Sequence, residues 1–235
     1  MMDVEISVII PALNEEKYIR NALDGLRKQT FRNFETIVVD GGSADRTREL
    51  AKASARVILL KKQGAGRARN AGARIAKGSI LLFLDADTVP SKNLLKTYKD
   101  IMDDSGVVAA TGPIYPFEKA GWKYMRGYRL VSIYFVKFSM LLRRPTFVGS
   151  NFAVRKSAFE KVHGFKDSMI SYEDWELSNR LKRQGKMVFS NNAIVQTSIR
   201  RVKKWGMKKY FWFYVTNFLK FHLLKESHKD YSPVR

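Results

Sequence analysis

The 235-residue chain has no cysteine, so disulfides and cysteine-rich metal sites are excluded. That composition suits a reducing compartment. Acidic residues are scarce: 22 Asp and Glu stand against 43 Lys and Arg, a formal net charge of +21. Such an excess favours anionic partners, whether nucleic acid, nucleotide phosphates or an anionic membrane. The segment Met1 to Val8 has no basic stretch leading into an apolar one, so no signal peptide is read there. Internal repeats and low-complexity linkers are missing too. The apolar run 130–142 is flanked by Arg126, Arg129, Arg143 and Arg144. As a helix it would reach about 20 Å at 1.5 Å per residue, short of a ~30 Å hydrocarbon core. It reads as a buried or interfacial helix.

What is present is a strand that ends in two carboxylates. Ile80, Leu81, Leu82, Phe83 and Leu84 follow Gly78-Ser79 and run into Asp85-Ala86-Asp87. The run is short for a helix and reads as a strand buried on both faces of a parallel sheet. Asp85 and Asp87 then fall at its carboxyl end, where open α/β sheets bind ligands. Two carboxylates this close repel unless a cation sits between them. Hard ions such as Mg²⁺ or Mn²⁺ take oxygen ligands, often one or two carboxylates plus substrate phosphates. A solvated turn explains the same pair, because Asp is common in turns.

The first ninety residues alternate strand and helix, which predicts parallel strands with helices on both faces. A strand at 6–10 ends at Pro11, with Asn14 as the N-cap of the next helix. A second at 34–39 runs into Asp40, with Ser43 and Asp45 capping the following helix. A third covers 56–60, and a small-residue helix spans about 67–76. Polar clusters thus recur at three strand ends: Asn14-Glu15, Asp40 and Asp85-Ala86-Asp87. The second half is less regular. It reads as a strand near 107–110, a loop 149–151 entering a strand, and a short helix capped by Ser157. A helix opens at Tyr172-Glu173-Asp174-Trp175, and two short strands follow at 186–189 and 193–195. The tail 205–224 mixes Trp, Phe and Tyr with Lys, which fits a helix in a membrane interface and equally one packed on the domain.

Read together, the motifs resemble the family 2 glycosyltransferases of the GT-A fold, to about residue 205. They are, in order, 8–15 (VIIPALNE), 39–47 (VDGGSADRT), 66–70 (GRARN), 84–87 (LDAD), 149–151 (GSN) and Glu173-Asp174. The resemblance implies a mostly parallel central sheet and a GT-A domain over 1–204. Its nucleotide-binding half would be 1–90 and its acceptor-side half 91–204, before a basic aromatic tail at 205–235. It implies a nucleotide-diphospho-sugar donor, a UDP-sugar by default with GDP-sugars also known in the family, and a divalent cation, Mn²⁺ or Mg²⁺. Pro11, Asn14 and Glu15 correspond to the loop around base and ribose, Asp40 to a base contact and Arg69 to a nucleotide contact. Asp85 and Asp87 correspond to the metal pair, with Asp87 the direct ligand. Gly149, Ser150 and Asn151 match the loop near sugar and acceptor, with Trp175 beside it. Asp174 matches the general base of inverting members, with Glu173 next to it. The run Thr197-Ser198-Ile199-Arg200-Arg201 is similar to one in some relatives, and its arginines would hold the diphosphate. Two departures stand out. Thr88-Val89 offers no third acid or glutamine after the metal pair, and the three histidines are His163, which stands where relatives often have glycine, and His222 and His228 in the tail.

Other classes fit less well. A dinucleotide dehydrogenase would want its glycine fingerprint after the first strand, and Arg69 stands at the third glycine of 64–69. A sugar-phosphate nucleotidylyltransferase would want a glycine-rich basic loop where Pro11 to Glu15 is acidic. A nucleic-acid-binding protein fits the charge, but acidic strand ends would repel a phosphate backbone. The expectation is a cytoplasmic, inverting, metal-dependent hexosyltransferase that acts on an acceptor hydroxyl or phosphate, lipid-linked or membrane-proximal, with the inner face of the cell membrane as the place of a peripheral association.

Overall fold

The computed structural model describes residues 4–60, 64–118, 121–169 and 171–219. The first half alternates as its periodicity predicts: β1 (Ile6–Ala12), α1 (Ile19–Arg27), β2 (Phe34–Asp40), α2 (Thr47–Lys52), β3 (Arg56–Leu59), α3 (Ala65–Ile75) and β4 (Ile80–Phe83). β1 pairs in parallel with β2 and β4, and β2 with β3. Alternation along β1 and β4 divides their side chains between two cores. Ile6, Val8, Ile10, Ile80 and Leu82 pack on one side; Ile9, Leu81 and Phe83 pack on the other. β4 is therefore buried on both faces, the reason its sequence is apolar without a break. In α1 the residues at i, i+3, i+4 and i+7 (Ile19, Ala22, Leu23, Leu26) are the ones turned inward.

The second half continues with β5 (Thr88–Pro90), α4 (Leu94–Met102), β6 (Val107–Thr111) and β7 (Ile114–Pro116). α5 (Trp122–Arg129) passes through a π-helical turn, Leu130–Phe135, into α6 (Val136–Leu141). Then come β8 (Phe152–Arg155), α7 (Lys156–Lys161), α8 (Glu173–Leu181), β9 (Lys186–Phe189), β10 (Val195–Thr197), α9 (Arg200–Trp205) and α10 (Met207–Leu219). The main sheet has the order β3-β2-β1-β4-β8-β6-β9, with β8 antiparallel to both neighbours. A separate small sheet, β5-β10-β7, is not foreseen in the sequence, because its strands are three residues each. The expected helix over 130–142 begins earlier, at Trp122. Residues 220–224, expected to extend the last helix, lie outside the described residues.

Three local expectations are corrected. Pro11 does not end β1; it lies within the strand, in register with Val39. The Ile9 carbonyl accepts from Leu84 N–H and the Ala12 carbonyl from Gly41 N–H, so Pro11 faces the β4 side. β4 pairing stops at Ile9, and no ladder bond is lost to the missing N–H. Asn14 does not cap α1; it sits at φ 55° and its Oδ1 accepts from Ala44 N–H, which ties the β1 loop to the β2 loop. Ser157 is inside α7 rather than at its cap. That helix is followed by His163 and Gly164 at φ 60° and 62°, so His163 holds a left-handed conformation that glycine adopts more readily.

Gly78, just before β4, packs against backbone. A Cβ there would lie 2.6 Å from Ser7 N and 2.8 Å from Ile6 C. Gly78→Ala should therefore push β1 and β4 apart and cost about 1–3 kcal/mol. Urea denaturation would read it as a lower midpoint at unchanged slope.

Candidate active site

The parallel arrangement brings the carboxyl ends of β1, β2 and β4 to one rim, and β8 runs down from the same rim beside β4. The strand order reverses about β1, the place where open sheets leave a crevice. A cavity of about 440 Å³ opens there. One end is charged, lined by Glu15, Arg69, Asp85, Asp87, Asp174 and Arg200. The lining also carries aromatics, Tyr128, Tyr172, Trp175, Tyr210, Phe213 and Tyr214, of which Tyr172 and Trp175 flank Glu173-Asp174 in the chain. Gly64, Ala65 and Ala68 present the first turn of α3, so a helix N-terminus faces the cavity, an electrostatic setting that favours anions.

Arg69 sits beneath the charged end, 4% exposed. Its Nη2 donates to Asp85 Oδ1 at 2.8 Å and its Nη1 to Glu173 Oε1 at 2.9 Å. A Cβ on Gly149 would lie 2.5 Å from Arg69 Nη2, so only glycine leaves room for the guanidinium. Asp174, one residue along from Glu173, faces the cavity. Its Oδ2 accepts from Gly149 N–H and its Oδ1 from Trp175 N–H, both at 2.9 Å. Burial above all raises the Asp174 carboxyl, against the pull of Arg69 and the two backbone donors. Burial, and next the Asp174 charge, push Glu173 up to about 7. One guanidinium beside the buried Glu173 and the half-buried Asp174 does not offset the cost of ionising both.

The small second sheet delivers a second arginine. β10 pairs Thr197 with Thr88 of β5, and Thr197 Oγ1 donates to Asp87 Oδ1 at 3.3 Å. Arg200, at the start of α9, donates to both oxygens of Glu15 at 2.8 and 2.7 Å and lies 3.0 Å from Asp87 Oδ2. Its guanidinium covers the Tyr18 ring at 4.8 Å. Burial, then the charge of Asp85, push Asp87 up to about 6 in spite of Arg200. Arg201 also lines the cavity.

The cavity lining thus brings together Pro11, Glu15, Arg69, Asp85, Asp87, Gly149, Ser150, Glu173, Asp174, Trp175, Arg200 and Arg201 among the residues expected from sequence. Three others are placed elsewhere. Asp40 is fully buried beneath the loop, accepting from Ser43 N–H and Oγ and paired with Arg48 at 3.4 Å. Asn14 links two loops, as described above. Asn151 is fully buried; its Oδ1 accepts from Tyr98 and its Nδ2 donates to the Ala193 carbonyl, so it holds β8 to its surroundings. Sequence reasoning missed Tyr128, Tyr210 and Tyr214. The signal was the aromatic density of the tail, but nothing local shows that α10 folds back beside α5, where Tyr128 and Tyr210 meet at 5.8 Å.

Among the described residues no group of three or more His, Asp or Glu forms a protein-only metal cage. The donor set nevertheless suits a hard divalent cation. Asp85 and Asp87 offer oxygens, the burial that raises Asp87 is what a cation would relieve, and diphosphate and water usually complete such a shell.

A model described as glycosyl transferase family 2 matches residues 7–163, and one described as the N-terminal domain of galactosyltransferase matches 129–214. The glycosyltransferase GlyG of Streptococcus pneumoniae is 31% identical over 122 residues, 49% of this chain and 40% of that protein. AglE of Haloferax volcanii is 30% identical over 199 residues, 80% of this chain and 65% of that protein. The fold is similar to TarS 1–349 of Staphylococcus aureus solved with UDP-GlcNAc (TM-score 0.66, 20% identity, 83% of this chain and 58% of that one). It is also similar to the mannosyltransferase PcManGT of Pyrobaculum calidifontis solved with GDP-Man and Mn²⁺ (TM-score 0.65, 19% identity, 90% and 64%). The chain spans less than two thirds of each of these proteins.

The raised Glu173 has a consequence for stability. Between about 4.5 and about 7 the folded chain holds a proton that the unfolded chain has released. Its contribution is full below that window and is lost as pH rises through it. Glu173→Gln should remove on the order of 2 kcal/mol of this pH dependence, seen as a flatter plot of thermal midpoint against pH from 5 to 8.

Proposed function

The chain belongs to glycosyl transferase family 2 and has its GT-A fold, and on that premise we propose an inverting, metal-assisted transfer from a nucleotide-diphospho-sugar to an acceptor hydroxyl. The observation that carries the proposal is that a carboxylate pair suited to a cation and a half-buried carboxylate fixed by two backbone N–H groups face the same cavity from different elements. UDP-sugars are the favoured donors, a choice supported by the TarS complex with UDP-GlcNAc; the GDP-Man complex of PcManGT keeps GDP as the comparison to make. The acceptor is lipid-linked and reaches the aromatic side chains of the cavity at the inner face of the membrane. Residues 1–90 form the donor half, 91–204 the acceptor half, and 205–235 a basic aromatic tail, from which Tyr210, Phe213 and Tyr214 line the cavity. Among the described residues no helix is long and apolar enough to cross a membrane.

In this mechanism Asp85 and Asp87 would hold the cation, Asp87 as the direct ligand, and the chemistry it would supply is charge stabilisation of the departing diphosphate. Arg200, Arg201 and the α3 N-terminus draw the same anion to that end of the site. Pro11 and Glu15 shape the donor side, while Asn14 and Asp40 act by fixing its loops. Asp174 takes the proton of the acceptor hydroxyl as its oxygen attacks the anomeric carbon, and the electron pair of the broken bond leaves with the nucleotide diphosphate. A carboxylate raised by burial is a stronger base near neutrality. Glu173 positions Arg69, and through it Asp85. Gly149 and Ser150 border the sugar, and Trp175 supports the acceptor side.

Two substitutions separate these roles. Asp174→Asn should lower kcat about 10²–10⁴-fold while leaving metal-dependent binding of nucleotide intact. Asp87→Ala should abolish both. Turnover of Asp174→Asn at the wild-type rate would remove it as the base. A thermal-shift series with UDP, GDP and their sugars, with Mn²⁺ and then with chelator, should raise the midpoint only when nucleotide and cation are both present. A rise with GDP alone would replace the UDP assignment.

A further inference from the structure

The helix that lines the cavity with Tyr128 and Ser132 turns a different face to solvent. Along it Trp122, Arg126, Leu130, Tyr134, Phe138 and Leu142 recur at intervals of four, and every one is exposed. The apolar members are 46–64% exposed, and Leu141 beside them is 78% exposed. In a straight α-helix an i, i+4 row winds about 40° per step. The π turn Leu130–Phe135 is wider and winds the row back, which keeps it on one side. The row is roughly 30 Å long at 1.5 Å per residue. α10 lies alongside, with Phe218 against Phe135 at 5.2 Å, and adds the half-exposed Trp212 and Leu219.

The charge along this stretch of the chain has one sign. From Lys119 to Arg144 there are seven Lys or Arg and no Asp or Glu, and no acid occurs from Leu177 to Lys225. We propose that this row is a docking surface for an anionic lipid bilayer, lying in the interface with Trp122, Tyr134, Phe138 and Leu141 among the headgroups. An exposed apolar stripe bounded by Arg and Lys is the pattern of an interfacial helix, and Trp and Tyr favour that depth. A second copy of the chain is the weaker occupant, since a two-fold contact would set the same cationic patch against itself. Nucleic acid would leave the apolar row without a partner. Because Tyr128 and Ser132 belong to the same helix, docking sets the part of the cavity that they line next to the membrane surface. The inference rests on the proposed function only for what arrives there; docking itself needs no donor.

The test uses the full chain and vesicles of phosphatidylglycerol with phosphatidylcholine, against phosphatidylcholine alone. The wild type should sediment with the anionic vesicles at low salt and be released at 0.5 M salt, on the order of a few ångströms of Debye length. The double variant Phe138→Glu, Leu141→Glu should bind those vesicles at least tenfold more weakly, with unchanged circular dichroism and thermal midpoint. Arg126→Gln with Arg129→Gln should weaken binding with no change in the apolar row. Equal binding by wild type and the Glu variant would overturn the proposal, as would no binding to either vesicle. A wild-type dimer that the Glu variant splits would assign the surface to a second copy instead. Nucleotide thermal shifts on the same samples, without vesicles, report separately on the transfer reading.

Discussion

Arg69 is a charge buried by the chain's own packing, and a buried charge is tolerated only when it is paired and hydrogen-bonded. Its partners, Asp85 and Glu173, are 16 and 104 residues away in sequence. They stand at the end of β4 and at the first turn of α8, so one guanidinium joins the carboxylate pair of the sheet rim to the helix that presents Asp174. Losing one partner of such a set typically costs 3–5 kcal/mol, roughly, because the remaining charge stays buried. Gly149 is small because the guanidinium fills the space its side chain would take. The same glycine donates its N–H to Asp174. The two carboxylate groups of the site are thus held at a fixed separation by a single polar hub.

A second arginine performs a similar task at the other side. Arg200 reaches Glu15 from the β1 loop and Asp87 from the β4 loop, and it depends on the three-residue strands β5 and β10 for its position. The site is therefore acidic at its centre and bordered by arginines. The large positive excess lies outside it, on helices and tail. This segregation reconciles a strongly basic protein with a cavity lined by carboxylates. It also separates two ways of using charge: short, buried pairs that fix geometry, and exposed cations whose effect is long-ranged and screened by salt.

Much of the first half of the chain was legible in the sequence. The strand–helix alternation, the double burial of β4 and the common rim of Glu15, Asp85 and Asp87 all follow from local apolar patterns. Errors arose where a side chain's partner is distant. Asn14 has the composition of a helix cap, but its best acceptor geometry is with Ala44. Asp40 and Asn151 stand in the right motifs, yet their side chains turn inward because buried backbone and hydroxyl donors there need acceptors. Pro11 reads as a strand terminator only if one ignores which edge its nitrogen faces.

The sequence by itself determined the class of the sheet, the position of the carboxylates at strand ends and the family to which they belong, since these depend on periodicity and on residues close in the chain. Tertiary structure alone decided that Arg69 and Arg200 are bridges, that the tail helix walls the cavity and that the apolar helix exposes one face. Each of those is a contact between segments far apart in the chain. No local pattern records it, because its free energy exists only once packing has removed the intervening water.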